Sequence, residues 1–354
     1  MIDTKPTTES HSGPTPQTSV STLMSAIVQD RYGSPVEVLE LQDLVKPVVK
    51  DGEVLVRVHA ASVHVGDVIL VRGVPYIARM AVGLRKPKNL VPGTDIAGTV
   101  EAVGKKVTTL TPGDEVFGWC VGAFAEYACA PEGQFVPKPA GLTFEQAAAI
   151  GVSASTALQL LRDQAKVQPG QKVLINGASG GLGTFAVQIA KAFGAEVTGV
   201  CSTGNLDLVR SIGADQVINY TREDFTKGRQ RYDFILDNVA NHSLSATRRA
   251  LTPAGTLQSN NGTSGGRWVG TLGTMIKTAV VSMFNRQQLG PVIKFQNQAD
   301  LLILKELIEA GKVTPVIDGT YPLSRTPEAV GHVAEGHAHG TVVVTVLGSG
   351  VVTG

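Results

Sequence analysis

One stretch of this sequence has the residue types and spacing of a phosphate site. Lys172-Val-Leu-Ile-Asn176 is an apolar run of strand length, followed by Gly177-Ala-Ser-Gly-Gly-Leu-Gly183 and then by Phe185, Ile189 and Phe193 on one face of a helical pattern. A strand, a tight glycine turn and a helix N-terminus together make an anion site, because free backbone N–H groups and the helix dipole point at the same place. The spacing Ala178-x-Gly180-x-x-Gly183 is that of a dinucleotide turn with alanine in its first place, and Ser179, Gly181 and Leu182 fill the positions between. The plainer alternative is a glycine turn that only packs a helix onto a sheet. Gly177-Ala-Ser179-Gly-Gly181 also satisfies G-x-S-x-G, the nucleophile elbow of α/β hydrolases. Context favours the phosphate turn. About 150 residues of unlike pattern precede this strand, and Gly183 has no purpose in an elbow.

The next strand decides which dinucleotide fits. A site for NAD places Asp or Glu at the end of the second strand to bind the ribose hydroxyls, whereas this strand runs into Val200-Cys201-Ser202-Thr203-Gly204-Asn205. No carboxylate stands there to repel a 2′-phosphate. Ser202 and Thr203 offer hydroxyl donors, and Tyr220, after the third strand, offers another. Each is equally well an ordinary turn hydroxyl or a packed tyrosine when taken singly. Asp207 and Arg210 fall on the following helix and read as solvated surface.

These residues need a scaffold, and the hydrophobic period shows two. From residue 25 to about 139 the chain reads as short strands punctuated by Gly and Pro, at 54–58, 98–103, 114–117 and 124–129, which suggests a compact barrel-like β domain. Residues 143–161 are helical in character. From residue 171 strands alternate with helices: strands at 172–176, 196–200, 216–218, 234–237 and 255–258, helices at 184–193 and 206–211. That alternation calls for a parallel, doubly wound sheet. A helix near 299–310 and a strand near 341–346 close the chain, and this last segment is expected to return to the first domain.

Composition excludes several functions. The chain has 354 residues, enough for two domains with separate cores, and 31 basic against 30 acidic side chains leave a net charge of +1. Such a balance gives no field for a polyanion, so nucleic acid is not expected as a partner. No segment reaches the ~18–20 uninterrupted apolar residues of a membrane span. Cys120, Cys129 and Cys201 are too few and too scattered for a disulfide framework, and a reducing, cytoplasmic location fits them. Residues 1–22, rich in Ser, Thr and Pro, read as a flexible tail without the arginines of a transit peptide.

With these residues in place the chain resembles the zinc-free branch of the medium-chain dehydrogenase/reductase superfamily, the zeta-crystallin-like quinone oxidoreductases and related alkenal reductases. The marks are Pro92-Gly-Thr-Asp-Ile-Ala-Gly-Thr-Val100, Pro112-Gly-Asp-Glu-Val-Phe117, Gly122-Ala-Phe-Ala-Glu-Tyr127, Thr156-Ala157, the glycine turn and Gly213-Ala-Asp215. The resemblance spans residues 24–346. It implies a GroES-like β-barrel catalytic domain at 23–148 and 313–347, a Rossmann domain at 149–312, NADPH held between them, and a homodimer. Thr156, Asn238 and Asn260 fall near the nicotinamide half by the same analogy.

Zinc-dependent relatives carry Cys-x-x-Asp and Gly-His-Glu segments where this chain has His64-Val-Gly-Asp67 and Gly93-Thr94-Asp95. His64 alone can ligate. Thr94 removes the second ligand and no nearby cysteine supplies a third, whereas catalytic zinc normally takes three, so no metal is expected. His332, His337 and His339 lack the spacing of a helical turn and read as exposed polar residues. Many relatives also have a basic residue just after the second strand, where this chain has Gly204, and Arg or Lys around the last strand, where it has His339 and Thr341.

Without a Lewis acid or a Tyr-x-x-x-Lys pair, alcohol oxidation is disfavoured. Hydride transfer to an already electron-poor acceptor remains: a quinone or an α,β-unsaturated carbonyl. The protein then supplies orientation, a dry cleft and a proton for the oxygen anion. Tyr76 and His64 are the candidate donors, with a pocket wall and a nicotinamide-side hydrogen bond as their alternative roles. Two other functions stay open. A 2-enoyl thioester reductase would use Arg79, Arg85, Lys86 and Lys88 for a carrier phosphate, and a crystallin-like or RNA-binding protein would hold NADPH without turnover.

Overall fold

The computed structural model describes residues 23–259, 287–291 and 296–346, so the tail at 1–22 lies outside the described residues. The change of hydrophobic period near residue 140 becomes a change of sheet type. Before it, β1 (Leu23–Val28) and β2 (Glu40–Val45) pair antiparallel around α1 (Pro35–Val38), which opens on a proline whose fixed φ suits a first helical position. The long strand β3 (Glu53–Val63) leads into α2 (Val65–Arg72) and the single turn α3 (Arg79–Val82). Then come β4 (Asp95–Val103), β5 (Glu115–Trp119), β6 (Tyr127–Pro131) and β7 (Phe135–Pro137).

The strand expected at 124–129 begins three residues later than its sequence pattern. Phe124 and Glu126 are used otherwise: the Phe124 and Glu126 N–H groups donate to Pro92 O and Ser25 O, and the Ile27 N–H donates to Phe124 O at 2.8 Å. Those bonds tie β1 to the barrel. The stretch expected to be helical at 143–161 holds two helices, α4 (Phe144–Ala148) and α5 (Gly151–Gln159). Gly151 is the reason. A Cβ there would lie 2.2 Å from the Asp95 carboxyl carbon, and Asp95 Oδ2 instead accepts the Val152 N–H at 2.8 Å, starting a new helix.

The second unit is the parallel sheet that the alternation demanded. Its strands are β8 (Lys172–Asn176), β9 (Glu196–Cys201), β10 (Gln216–Asn219), β11 (Tyr232–Asp237), β12 (Leu251–Ser259) and β13 (Gln288–Pro291), in the order β10-β9-β8-β11-β12-β13. Helices α6 (Gly181–Ala192), α7 (Leu206–Ser211) and α8 (Leu244–Arg249) link them. The order reverses direction between β8 and β11, and a ligand crevice opens at such a point. After α9 (Gln298–Glu309), strand β14 (Ile317–Pro322), α10 (Thr326–Glu335) and β15 (Thr341–Thr345) return to the first sheet, where Val342 pairs with Val63 of β3. This is a GroES-like domain with a Rossmann-type sheet.

The junction between the units is apolar. Ala60, Ala97, Phe117, Val136 and Val343 from the first sheet pack into the same buried cluster as Val173, Ile175, Phe185 and Ile189. Among the described residues no helix is long and apolar enough to cross a membrane.

Gly183 shows how tightly the turn before α6 is closed. A Cβ at this position would come 2.0 Å from Gly177 O and 2.9 Å from the Ala178 backbone, and backbone cannot step aside as a side chain can. Gly183→Ala is expected to cost about 1–3 kcal/mol of overpacking. A melting temperature unchanged in the variant would show that the turn relaxes freely.

Candidate active site

The glycine turn starts from Gly177, at φ +81°, which only glycine adopts without strain, and its N–H donates to Val200 O at 3.1 Å. Ala178 repeats that bond at 3.0 Å, locking the turn across β9. The glycines then divide by function. Gly183 is forced by packing, whereas a Cβ on Gly180 would meet only Gly177 O at 3.7 Å, leaving open space in front of the helix. Gly180 caps α6 with no side chain on the first-turn N–H groups. Gly181 faces the other domain: its Cβ position lies 3.2 Å from Gly340 O, and Gly340 bridges to Gly180 just before β15.

Ser179 is not placed as a nucleophile. Its Oγ accepts from Asn205 Nδ2 at 3.2 Å, and the same amide donates to Ser202 Oγ at 3.0 Å. Asn205 thus ties the glycine turn to the end of β9. The sequence carried a hint of this in the polar run after the strand, but nothing in the run marks Asn205 as buried. Thr203 Oγ1 accepts from Asn219 Nδ2 at 2.9 Å and lies 3.2 Å from Thr221 Oγ1. Asn219 pairs with Cys201 in the β10–β9 register, and the Tyr220 N–H donates to Cys201 O, so Ser202, Thr203 and Tyr220 share one sheet end. Tyr220 is 55% exposed there. Asp207 and Arg210 pair with each other at 3.0 Å on the surface, as expected.

At the end of β11, Asp237 Oδ1 collects Asn176 Nδ2 at 2.8 Å and the Ala240 N–H at 2.8 Å. Asn238 follows, packed against Gly177, with both amide atoms buried and without a hydrogen-bond partner among the described residues. A buried amide left unpaired costs stability, so its position beside the turn fits a polar ligand group. Thr156 is buried in α5. Asn260 lies outside the described residues.

Across the junction, His64 precedes α2 with its ring against Gly66, where a Cβ would lie 2.6 Å from the imidazole. Its Nε2 is 2.7 Å from Thr94 Oγ1 and 3.5 Å from Asp67 Oδ2, and Asp67 Oδ2 accepts the His64 backbone N–H at 2.9 Å. Asp95, next to Thr94, accepts from Ser62 Oγ at 3.2 Å besides capping α5. Both carboxyls are fully buried. Burial pushes Asp67 up to about 7 and Asp95 up to about 6, the latter opposed by the nearby His64 charge. Tyr76 opens a helical turn, and its ring lies under the Arg79 guanidinium, 4.7 Å from the centroid. The structure therefore groups His64 with Thr94 and Asp67, and Tyr76 with Arg79. His332 departs from the expected solvent exposure: it is half-buried with Nε2 2.7 Å from Asp318 Oδ2, while His337 and His339 are exposed.

A glycine turn at a helix N-terminus, a polar second-strand end and a GroES-like domain packed against the parallel sheet define a dinucleotide-dependent oxidoreductase. Comparison with known proteins agrees. Residues 50–140 match the family described as alcohol dehydrogenase GroES-like domain, and residues 212–344 match that described as zinc-binding dehydrogenase. The mitochondrial NAD(P)H oxidoreductase RTN4IP1 of Mus musculus is 34% identical, covering 92% of this chain and 90% of its own length. The quinone oxidoreductase of Sus scrofa is 35% identical over 87% of this chain and 93% of its own. The solved quinone oxidoreductase from Coxiella burnetii superposes with a TM-score of 0.80 at 29% identity, over 92% of this chain and all of that one. The chain belongs to the medium-chain dehydrogenase/reductase superfamily. Within it, the relatives and the nucleotide-binding sheet make it an NAD(P)H-dependent oxidoreductase.

The two raised carboxyls have a consequence for pH. In the unfolded chain an aspartate titrates near ~3.9, so between about pH 4 and pH 7 the folded state binds more protons. The contribution of these groups to stability is complete at low pH and is lost as pH rises through about 6 and about 7. Urea midpoints from about pH 8 down to about pH 5 should therefore rise more in wild type than in Asp67→Asn. Parallel profiles would show that Asp67 does not titrate in that window.

Proposed function

We propose that this enzyme transfers hydride from NADPH to a quinone or an α,β-unsaturated carbonyl without zinc. The observation that carries the reading is the hydrogen bond between His64 Nε2 and Thr94 Oγ1: the nitrogen a metal would use is engaged by a neutral hydroxyl. The donor set supports it, since a threonine hydroxyl is a poor zinc ligand and catalytic zinc normally takes three protein ligands. Bound NADPH supplies the hydride. The chain's own part is to hold the diphosphate on the N–H groups of Gly181, Leu182 and Gly183, with Ala178, Ser179 and Gly180, whose N–H donates to Gly177 O, shaping the turn. Asn238 is suited by its unpaired amide to the nicotinamide half, to which Thr156 and Asn260 are also assigned. Ser202, Thr203 and Tyr220 would receive the 2′-phosphate.

Reduction of such an acceptor leaves charge on its oxygen, and a positioned proton donor lowers the barrier. His64, with Nε2 2.7 Å from Thr94 Oγ1 and 3.5 Å from Asp67 Oδ2, is the proton donor in this scheme. Tyr76, oriented by Arg79, flanks the acceptor and is the second catalytic candidate. The domains that go with this reading are 23–148 with 313–347, and 149–312. The pairing of β15 with β3 supports the return of the last segment. The chain acts as a homodimer, tested by its mass in solution. A cytoplasmic location suits its three free thiols. Cell fractionation tests that against the mitochondrial names of relatives.

Turnover of a soluble quinone should survive exhaustive chelation. Stoichiometric, tightly bound zinc whose removal abolishes turnover would refute the zinc-free reading.

Cofactor preference follows from the end of β9. Each hydrogen bond to a charged phosphate is worth about 1.5–3 kcal/mol, but no cation stands at Gly204. Preference for NADPH over NADH should be on the order of tenfold to a hundredfold in kcat/KM, about 1.4–2.8 kcal/mol. Ser202→Asp should reverse it. Gly204→Arg should strengthen it, because a Cβ there meets nothing within 4 Å. Equal or better use of NADH by wild type would remove the NADPH assignment.

A further inference from the structure

The segment between α2 and β4 is unlike the rest of the chain. Residues 68–94 contain Arg72, Arg79, Arg85, Lys86 and Lys88 and no Asp or Glu, in a protein whose net charge is +1. The same segment displays apolar side chains to solvent: Met80 is 73% exposed and Leu84 71%, with Ile77 and Leu90 also exposed. Neither set is used by the cofactor site. Arg85 and Lys86 make no ion pair or hydrogen bond through their side chains among the described residues. The segment after β1 meets this stretch through the Gln29 N–H to Leu90 O bond and the Gln29 side chain on Val71 O, and its Asp30 is paired with Arg31.

The lobe is held firmly. Tyr32 Oη donates to Gly83 O at 2.7 Å, Arg79 Nε donates to Gly73 O at 2.8 Å, and the Arg79 guanidinium sits over both the Tyr32 and Tyr76 rings. Lys88 Nζ closes the loop onto Ala81 O at 2.8 Å. Met80 on α3 and Leu84 just after it are thus presented to solvent by a braced segment. Apolar tips ringed by Lys and Arg match the depth profile of a bilayer interface, with acyl boundary below and anionic headgroups around. A protein interface would suit Met80 and the arginines but not Lys86 and Lys88, since lysine is depleted there, whereas a bilayer interface accommodates all of them.

We propose that this lobe, residues 77–90, is a peripheral docking surface for an anionic lipid bilayer. Met80 and Leu84 enter the headgroup layer while Arg85, Lys86 and Lys88 meet lipid phosphates. The docked lobe sets Tyr76 beside the bilayer surface, where an apolar acceptor partitions.

The test is co-sedimentation of the full chain with vesicles of phosphatidylcholine alone or with roughly one third phosphatidylglycerol. Wild type should bind the anionic vesicles at least about tenfold more tightly, and added salt should weaken that binding. Met80→Glu with Leu84→Glu, and separately Arg85→Glu with Lys86→Glu, should each lose about tenfold or more, with melting temperature and NADPH affinity unchanged. Absence of binding to either vesicle, or equal binding by either double variant, would overturn the proposal. So would a raised KM for an enoyl-coenzyme A in the charge variant with vesicle binding unaltered, which would assign the cations to a carrier phosphate instead.

Discussion

The Asp95 carboxylate is the contact on which most of the molecule turns. It leaves β4 of the GroES-like domain, caps the N-terminus of α5 through the Val152 N–H at 2.8 Å, and stands one residue from Thr94, the partner of His64. A helix N-terminus favours a negative charge and burial opposes it. With desolvation the larger effect, the group is pushed up to about 6, and it stays in place because Gly151 offers no Cβ to push it away. One side chain therefore fixes the domain junction, the break between α4 and α5, and the orientation of the segment facing the cleft.

The glycine turn is a second constraint of the same kind, with steric and permissive positions interleaved. Gly183 and Gly199 are crowded: a Cβ would meet Gly177 O at 2.0 Å in the first case and Val209 Cγ1 at 2.4 Å in the second. Gly180 is not crowded at all. The crowded glycines bring α6 and α7 close to the sheet, and the open one leaves room where a phosphate would approach the backbone. Asn205 then joins the turn to the β9 end through Ser179 and Ser202, so the two halves of the nucleotide site are positioned against each other before any ligand arrives.

What could be read from the sequence was what depends on local pattern. The parallel sheet followed from alternating periods, the turn from glycine spacing, and the absence of an acid after β9 from a single glance at Ser202 to Asn205. What depends on distant neighbours could not be read. The division of the helix at 143–161 needs Asp95, some fifty residues earlier in the chain, and no property of Gly151 alone announces it. The delayed start of β6 needs β1, which takes the Phe124 carbonyl. His332 reads as an exposed polar residue because its partner, Asp318, lies on a different element.

The pair of buried carboxyls behind His64 gives the cleft its character. A divalent cation beside Asp67 and Asp95 would hold both ionised, since the charge of a bound metal inverts the local titration order. With His64 and a threonine hydroxyl in front of them, burial dominates instead, and Asp67, pushed up to about 7, is a group that carries a proton over part of the neutral range. Its Oδ2 receives the His64 backbone N–H and lies 3.5 Å from the imidazole. The imidazole Nε2 therefore has both a hydroxyl, at 2.7 Å, and a carboxyl able to give or take a proton, at 3.5 Å, as neighbours. That arrangement suits a proton reservoir for an acceptor oxygen better than it suits the polarisation of an alcohol, and it comes from the chain's own side chains.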